Sequence, residues 1–292
     1  MHYKEIMQDD LRLIVERLER AIPINETLYK RVIDSMRYSL LSGGKRLRAI
    51  LTVEFCKLFN GNLDAALDFA CAVEMIHSYS LIHDDLPSMD DDDMRRGKPS
   101  NHIAFGEAIA LLAGDGLLTQ AFNTITTSSA TDAQVREAVR ILSDCAGFNG
   151  MIGGQVIDLR FEGEKINFND LHTMHLLKTG KLITAAVELG AILGNADDDT
   201  RQICRTFAQK LGLSFQIVDD ILDFEGDSAV LGKPAGSDKD NSKCTFVTLM
   251  GLENSKSLAA EYTRDAIEAL DQLPADTTFF KDLCNDLLNR KY

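Results

Sequence analysis

The stretch His83-Asp84-Asp85-Leu86-Pro87-Ser88-Met89-Asp90-Asp91-Asp92-Asp93-Met94-Arg95-Arg96-Gly97 places six aspartates within ten positions, directly after an apolar segment. A run of like charge is usually a solvated face. Here the first two acids, Asp84 and Asp85, close a helix that reads as buried. The negative end of the helix dipole lies there too, so a positive partner must offset them. A second cluster, Gln216-Ile217-Val218-Asp219-Asp220-Ile221-Leu222-Asp223, puts Gln216, Asp219, Asp220 and Asp223 at i, i+3, i+4 and i+7. That spacing is one helix face. Three carboxylates on one face of an apolar helix repel one another unless cations hold them. Oxygen-only clusters suit a hard cation such as Mg2+. Neither cluster has calcium-loop spacing, and His and Cys are not placed for zinc. A magnesium site built on two carboxylate clusters is normally completed by a diphosphate or triphosphate.

Spacing within the first cluster has a structural consequence. Asp84 and Asp90 are six residues apart; on a continuous helix they would differ by about 240°. They can face one metal only if the helix breaks, and Pro87 supplies the break. A diphosphate also needs cations. Ser42-Gly43-Gly44-Lys45-Arg46-Leu47-Arg48 reads as two glycines and a helix start, with Lys45 and Arg48 at i and i+3. Helix N-termini favour anions. The segment is not a P-loop, because Gly-x4-Gly-Lys-Ser/Thr is absent. His77 lies seven residues before Asp84, on nearly the same helix face. Arg95, Arg96, Lys178, Lys181 and Lys233 are further candidates.

The segments that carry these residues read as helices. Proline is rare (5 in 292) and tryptophan is absent. Apolar residues recur at three- and four-residue steps over Leu11 to Ile22 and over Asp64 to Asp84. Ala104 to Thr124 is apolar nearly all round and predicts a central helix. Asn167 predicts a cap, with Asp170 in the first turn, for one long helix ending at Leu193 before Gly194-Asn195. Gln202 to Phe224 and Ser255 to Leu273 continue the pattern. Lys243 to Met250 (KCTFVTLM) is the one β-looking run, and a lone strand has nothing to pair with. The expected fold is all-α: one domain over residues 1–292, about ten helices around a central cavity. The apolar strands of a doubly wound α/β fold are missing.

Composition narrows the class. The chain has 31 Lys and Arg against 45 Asp and Glu, a net charge of −14. That balance argues against nonspecific binding to nucleic acid or to anionic membranes. No run of eighteen apolar residues predicts a membrane span. Six cysteines (Cys56, Cys71, Cys145, Cys204, Cys244, Cys284) form no CxxC pair, so reduced, buried thiols are expected. The first ten residues lack an apolar core and a cleavage site and are not basic, so a cytoplasmic location is expected.

Taken together, the chain resembles the trans-isoprenyl diphosphate synthases, most of all the bacterial farnesyl-type enzymes. The resemblance runs from Gly43-Gly44-Lys45 to Lys243 and rests on two aspartate motifs about 135 residues apart, in order, with basic motifs before and between them. The Pro87-Ser88 insertion is of the type found in bacterial short-chain synthases. Two family prolines are replaced, by Ala49 after Arg48 and by Val247 in Lys243-Cys244-Thr245-Phe246-Val247. Gly153-Gly154-Gln155 with Asp158 also matches a family motif, read here as support and helix packing.

The resemblance implies roles. Asp84 and Asp90, supported by Asp85, bind Mg2+. Asp219, supported by Asp220 and Asp223, binds a third Mg2+, with Mn2+ as a substitute. Lys45, Arg48, His77 and Arg96 bind isopentenyl diphosphate. Arg95, Lys178 and Lys233 bind the allylic diphosphate, and Thr179 and Gln216 line the reacting carbons. The implied reaction is head-to-tail condensation through an allylic cation, in a homodimer built on helices such as Ala104 to Thr124. Tyr79, five residues before Asp84, lies roughly 7.5 Å deeper along the helix and is expected to floor the cavity at fifteen carbons. Ser80 beside it leaves the wall partly open to a minor longer product. The alternatives are geranyl or geranylgeranyl diphosphate synthesis, a terpene cyclase or a non-catalytic subunit. A cyclase carries a different second motif and lacks the basic site; a non-catalytic subunit loses aspartates, and none is lost here.

Overall fold

The computed structural model describes residues 3–225 and 244–290; Lys233 and Lys243 lie outside the described residues. Among these, twelve helices have eight residues or more. The only strands among the described residues are the two-residue pair β1 (Met94–Arg95) and β2 (Lys98–Pro99). The all-α single-domain expectation holds, with two helices more than the ten expected.

Three helices form the centre: α3 (Leu47–Leu58), α4 (Leu63–Asp84) and α10 (Lys181–Leu193). Every residue of α10 from Leu182 onward is buried. Apolar side chains on all sides of a helix demand that position. α1 (Tyr3–Ala21) and α2 (Lys30–Leu40) pack outside this centre, and α11 (Asp198–Glu225) lies against α10. α4 starts at Asn62, whose side chain accepts hydrogen bonds from the Asp64 and Ala65 amides at 3.0 and 3.4 Å. This helix is long and apolar enough to cross a membrane by length and mean hydropathy, although no eighteen-residue apolar run is present; 78% of the window is buried inside the protein.

Three predicted elements differ. Ala104 to Thr124 divides into α5 (Asn101–Phe105) and α6 (Glu107–Thr126) at Gly106, whose φ of 89° disfavours any side chain. Nor is α6 central. One side, with Ala113, Gly114 and Leu117, packs on α4, while Leu111 and Leu112 stand exposed at the surface. α7 (Asp132–Ala146) and α8 (Met151–Arg160) follow.

The expected helix from Asn167 to Leu193 has its cap where predicted, with the Asp170 amide donating to Asn167 Oδ1 at 3.0 Å. It stops at Gly194-Asn195, where Asn195 takes a φ of 56°. Between these ends it is interrupted. α9 (Phe168–His175) passes into a π turn, Leu176–Gly180, before α10 begins. The described part of the run KCTFVTLM, residues 244–250, is not a strand either. Thr245 caps α12 (Phe246–Met250), its hydroxyl accepting from the Thr248 amide at 3.2 Å. With no strand to pair with, the apolar residues Phe246 and Val247 bury themselves against α9 and α11 instead. α13 (Leu252–Leu270) and α14 (Thr278–Leu288) complete the described chain.

Candidate active site

α4 ends at Asp84, and the chain turns sharply through Pro87. The Asp90 amide donates to the Asp84 carbonyl at 2.9 Å. The helix break therefore brings Asp90 beside Asp84, as the spacing required. Burial pushes the Asp84 carboxyl up to about 6; Lys178 and Arg95 oppose that shift, and Asp90 and Asp85 add to it. Asp85 is buried and paired with Arg95, whose Nε donates to Asp85 Oδ1 at 2.9 Å. Arg95 also reaches Asp92 at 3.2 Å. Arg95 is thus the positive partner that the acidic helix end demanded.

The second cluster sits on α11. Asp219 meets Arg290 at 2.5 Å, and Arg290 also donates to the Phe215 carbonyl at 3.1 Å. The Asp219 carboxyl is only half-buried, but desolvation still raises it, with Arg290, Lys45 and Arg48 opposing. Asp220 is turned into the protein: its carboxylate accepts from Gln216 Nε2 at 3.1 Å and from the Phe246 amide at 2.9 Å. Gln216 Oε1 accepts from the Thr179 hydroxyl at 3.2 Å. Thr179, Gln216, Asp220 and Phe246 thus form one relay across three elements. Asp223 is half-buried one turn further on.

Lys178 and Thr179 ride on the π turn. Lys178 Nζ meets Asp158 Oδ2 of α8 at 2.6 Å. A Cβ on Gly154 would lie 2.2 Å from the Lys178 amide nitrogen, and one on Gly212 would lie 2.9 Å from Gly180 Cα. These two glycines let α8 and α11 close on the turn. The wider turn leaves backbone groups out of the regular helical ladder. The Gly153-Gly154-Gln155 motif therefore has a contact role that sequence alone did not specify, and Gln155 lines the cavity.

The basic loop differs from its expected form. Lys45 lies before α3 and is not on it; Arg46, with a φ of 49°, is the N-terminal boundary residue. Lys45 and Arg48 therefore do not share a helix face, yet both act on Asp219. Burial lowers the affinity of both for their protons, and Arg290 adds to this at Lys45. Arg96 donates to the Gly43 carbonyl at 2.7 Å. His77 titrates well below its ordinary range, through burial first and then the charges of Arg48, Arg96, Arg46 and Arg95. A neutral imidazole inside a ring of cations is the charge balance expected where an anion is to be received. Arg290 was not legible in the sequence: it is one basic residue three from the end, with no motif around it.

A cavity of about 510 Å3 is lined by Arg48, His77, Asp84, Lys178 and Thr179 at its polar end. Tyr79, Ser80, Leu118, Met151 and Leu182 line its apolar part. The Tyr79 ring is 6% exposed, and its buried hydroxyl has no hydrogen-bond partner. Among the described residues no three His, Cys, Asp or Glu side chains converge to hold a metal by themselves. The oxygen-only donor set of Asp84, Asp90, Asp219 and Asp223 suits Mg2+, provided a ligand such as a diphosphate supplies further oxygens.

Two aspartate clusters, each faced by cations, and an apolar cavity that the first of them borders define the class. The chain matches the polyprenyl synthetase family over residues 29–283 and belongs to it. That makes it a prenyltransferase-family protein with isoprenoid diphosphates as its substrate class. It is 39% identical to the farnesyl diphosphate synthase of Bacillus subtilis (strain 168), over 99% of this chain and 96% of that one. It is 46% identical to the large subunit 1 of the heterodimeric chloroplastic geranylgeranyl pyrophosphate synthase of Arabidopsis thaliana, over 89% of this chain and 71% of that one. Its fold superposes on an FPP/GFPP synthase from Zymomonas mobilis with a TM-score of 0.84 and 36% identity, covering 98% and 97% of the two chains.

Proposed function

We propose that this protein condenses isopentenyl diphosphate head to tail with dimethylallyl and then geranyl diphosphate, giving farnesyl diphosphate and releasing diphosphate. The observation that carries the fifteen-carbon product is the Tyr79 ring, buried in the wall of the cavity five residues below Asp84. Asp84, Asp90, Asp219 and Asp223 are the residues that would hold Mg2+, three ions per site, with Mn2+ as a substitute. Bound there, the metal supplies Lewis-acid neutralisation of the charge that builds on the leaving diphosphate.

The chain's own residues do the rest by position and charge. Arg95, Lys178 and Lys233 bind the allylic diphosphate, with Asp85 and Asp158 holding the first two in place. Lys45, Arg48, His77 and Arg96 bind the diphosphate of isopentenyl diphosphate. When the allylic carbon–oxygen bond breaks, Thr179, Gln216 and the carbonyls of the π turn offer negative dipoles to the allylic cation. The double bond of isopentenyl diphosphate attacks that cation, and the proton lost passes to the departing diphosphate, so no protein base is required. The apolar walls exclude water, which would quench the cation.

A twenty-carbon product is the second reading. Small Ser80 beside Tyr79 favours it, and geranylgeranyl synthases are among the relatives. The exposed Leu111 and Leu112 of α6 and Ile103 of α5 suit a second copy of the chain, and we read the protein as a homodimer. Six free cysteines fit a reducing, cytoplasmic setting. The test is a product assay with Mg2+, labelled isopentenyl diphosphate and each allylic diphosphate, sizing the alcohols after phosphatase. A dominant fifteen-carbon alcohol supports the reading; a ten- or twenty-carbon one overturns the product length, and no condensation overturns the activity.

A further inference from the structure

Arg46 stands between two predicted diphosphate ligands yet points away from them. Its side chain is only 2% exposed. Nη1 meets Glu74 Oε2 on α4 at 3.0 Å, where Glu74 is likewise 2% exposed. Nη2 donates to the carbonyl of Leu40, the last residue of α2. One guanidinium therefore ties the end of α2, the start of α3 and the middle of α4. To reach both partners the Arg46 backbone takes a φ of 49°. A left-handed residue without glycine's freedom is strained, so the buried contacts must hold it there.

Glu74 has a second effect. It lies one helical turn before His77 on α4. Its charge acts favourably on both Arg48 and Arg96, whereas Arg46 adds repulsion at Arg96 and His77. The pocket thus assembles several cations around one buried carboxylate. A buried ion pair can often be replaced by apolar residues with little loss of stability, or with a gain. Stability alone therefore gives no reason to build one here.

We propose that the buried Arg46–Glu74 pair is the positioning device of the isopentenyl diphosphate pocket, aiming Lys45 and Arg48 and holding the cations together before the anion arrives. This rests on the prenyltransferase reading for the identity of the anion. The Arg46→Met/Glu74→Met double variant removes both charges and leaves no orphaned one. It is to be titrated with inorganic pyrophosphate by calorimetry in EDTA, where the metal-dependent site is silent. The expected result is a folded protein with Kd weakened tenfold or more. In turnover, KM for isopentenyl diphosphate should rise by a similar factor and KM for the allylic substrate should stay within twofold. A folded double variant whose Kd and KM for isopentenyl diphosphate lie within twofold of wild type overturns the proposal. Glu74→Gln keeps shape and hydrogen bond but removes the charge. It should lower the melting temperature of the empty protein and at least double the rise produced by saturating pyrophosphate; an unchanged rise overturns the proposal even if the double variant does not fold. If the wild type binds pyrophosphate in EDTA but condenses nothing, the activity reading fails and the binding arm still decides this one.

Discussion

Replacing Tyr79 by alanine should lengthen the product. The ring is 6% exposed, lines the 510 Å3 cavity and packs edge-on against His83 at 5.7 Å between ring centroids. Its hydroxyl is buried without a partner, so no hydrogen bond within the protein is lost with it. Removing the ring enlarges the apolar part of the cavity, beside Ser80, Leu118 and Leu182. An isoprene unit adds five carbons; at about 0.8 kcal/mol per buried carbon, burying one more is worth up to about 4 kcal/mol. At 1.4 kcal/mol per factor of ten, that is roughly a thousandfold at most in retention of the fifteen-carbon chain for another round. Labelled alcohols from wild type and variant, sized after phosphatase, should show the main product moving from fifteen to twenty carbons. Tyr79→Phe, which removes only the unpartnered hydroxyl, should leave the profile unchanged. A folded, active Tyr79→Ala variant with a wild-type profile would refute the floor.

Three further outcomes follow from the geometry. Asp158→Asn leaves Lys178 without its partner at 2.6 Å; KM for the allylic substrate should rise about tenfold, the scale of a charge-assisted hydrogen bond, and steady-state kinetics with both substrates would detect it. Arg290→Met removes the cation beside Asp219, so the half-saturating Mg2+ concentration should fall. The fall should be about two- to fivefold, because Asp219 is 41% exposed and screened by solvent; a rise in an activity-against-Mg2+ titration would sink the idea. Asp10 is fully buried, and burial, with a hydrogen bond to Glu54, pushes its carboxyl from 3.8 up to about 7 against the pull of Lys57. A raised carboxylate stabilises the fold most below its ordinary value and loses that contribution as pH climbs to about 7. Melting temperature should therefore fall from pH 4 to pH 8 more steeply in wild type than in Asp10→Asn, and parallel curves would refute the assignment.

The helical class, the two acidic clusters and the need for a break between Asp84 and Asp90 are all readable along the chain before it folds. Those follow from local rules: apolar period, cap residues, and a proline that ends a helix. Asn167 and Gly194-Asn195 were legible for the same reason. Contacts between distant parts of the chain set what local rules do not encode. The π turn that carries Lys178 and Thr179 depends on Gly154 and Gly212, which admit neighbouring backbones from distant parts of the chain. The run at Phe246 became helical because no strand was available to pair with it and its apolar side chains had another surface to cover. Asp220 turned inward because Phe246 and Gln216 offered hydrogen bonds to it. Arg46 and Arg290 carried no motif, since their partners, Glu74 and Asp219, lie 28 and 71 residues away. An arginine's role is set by which charge the folded chain brings within 3 Å, and chain separation alone does not contain that distance.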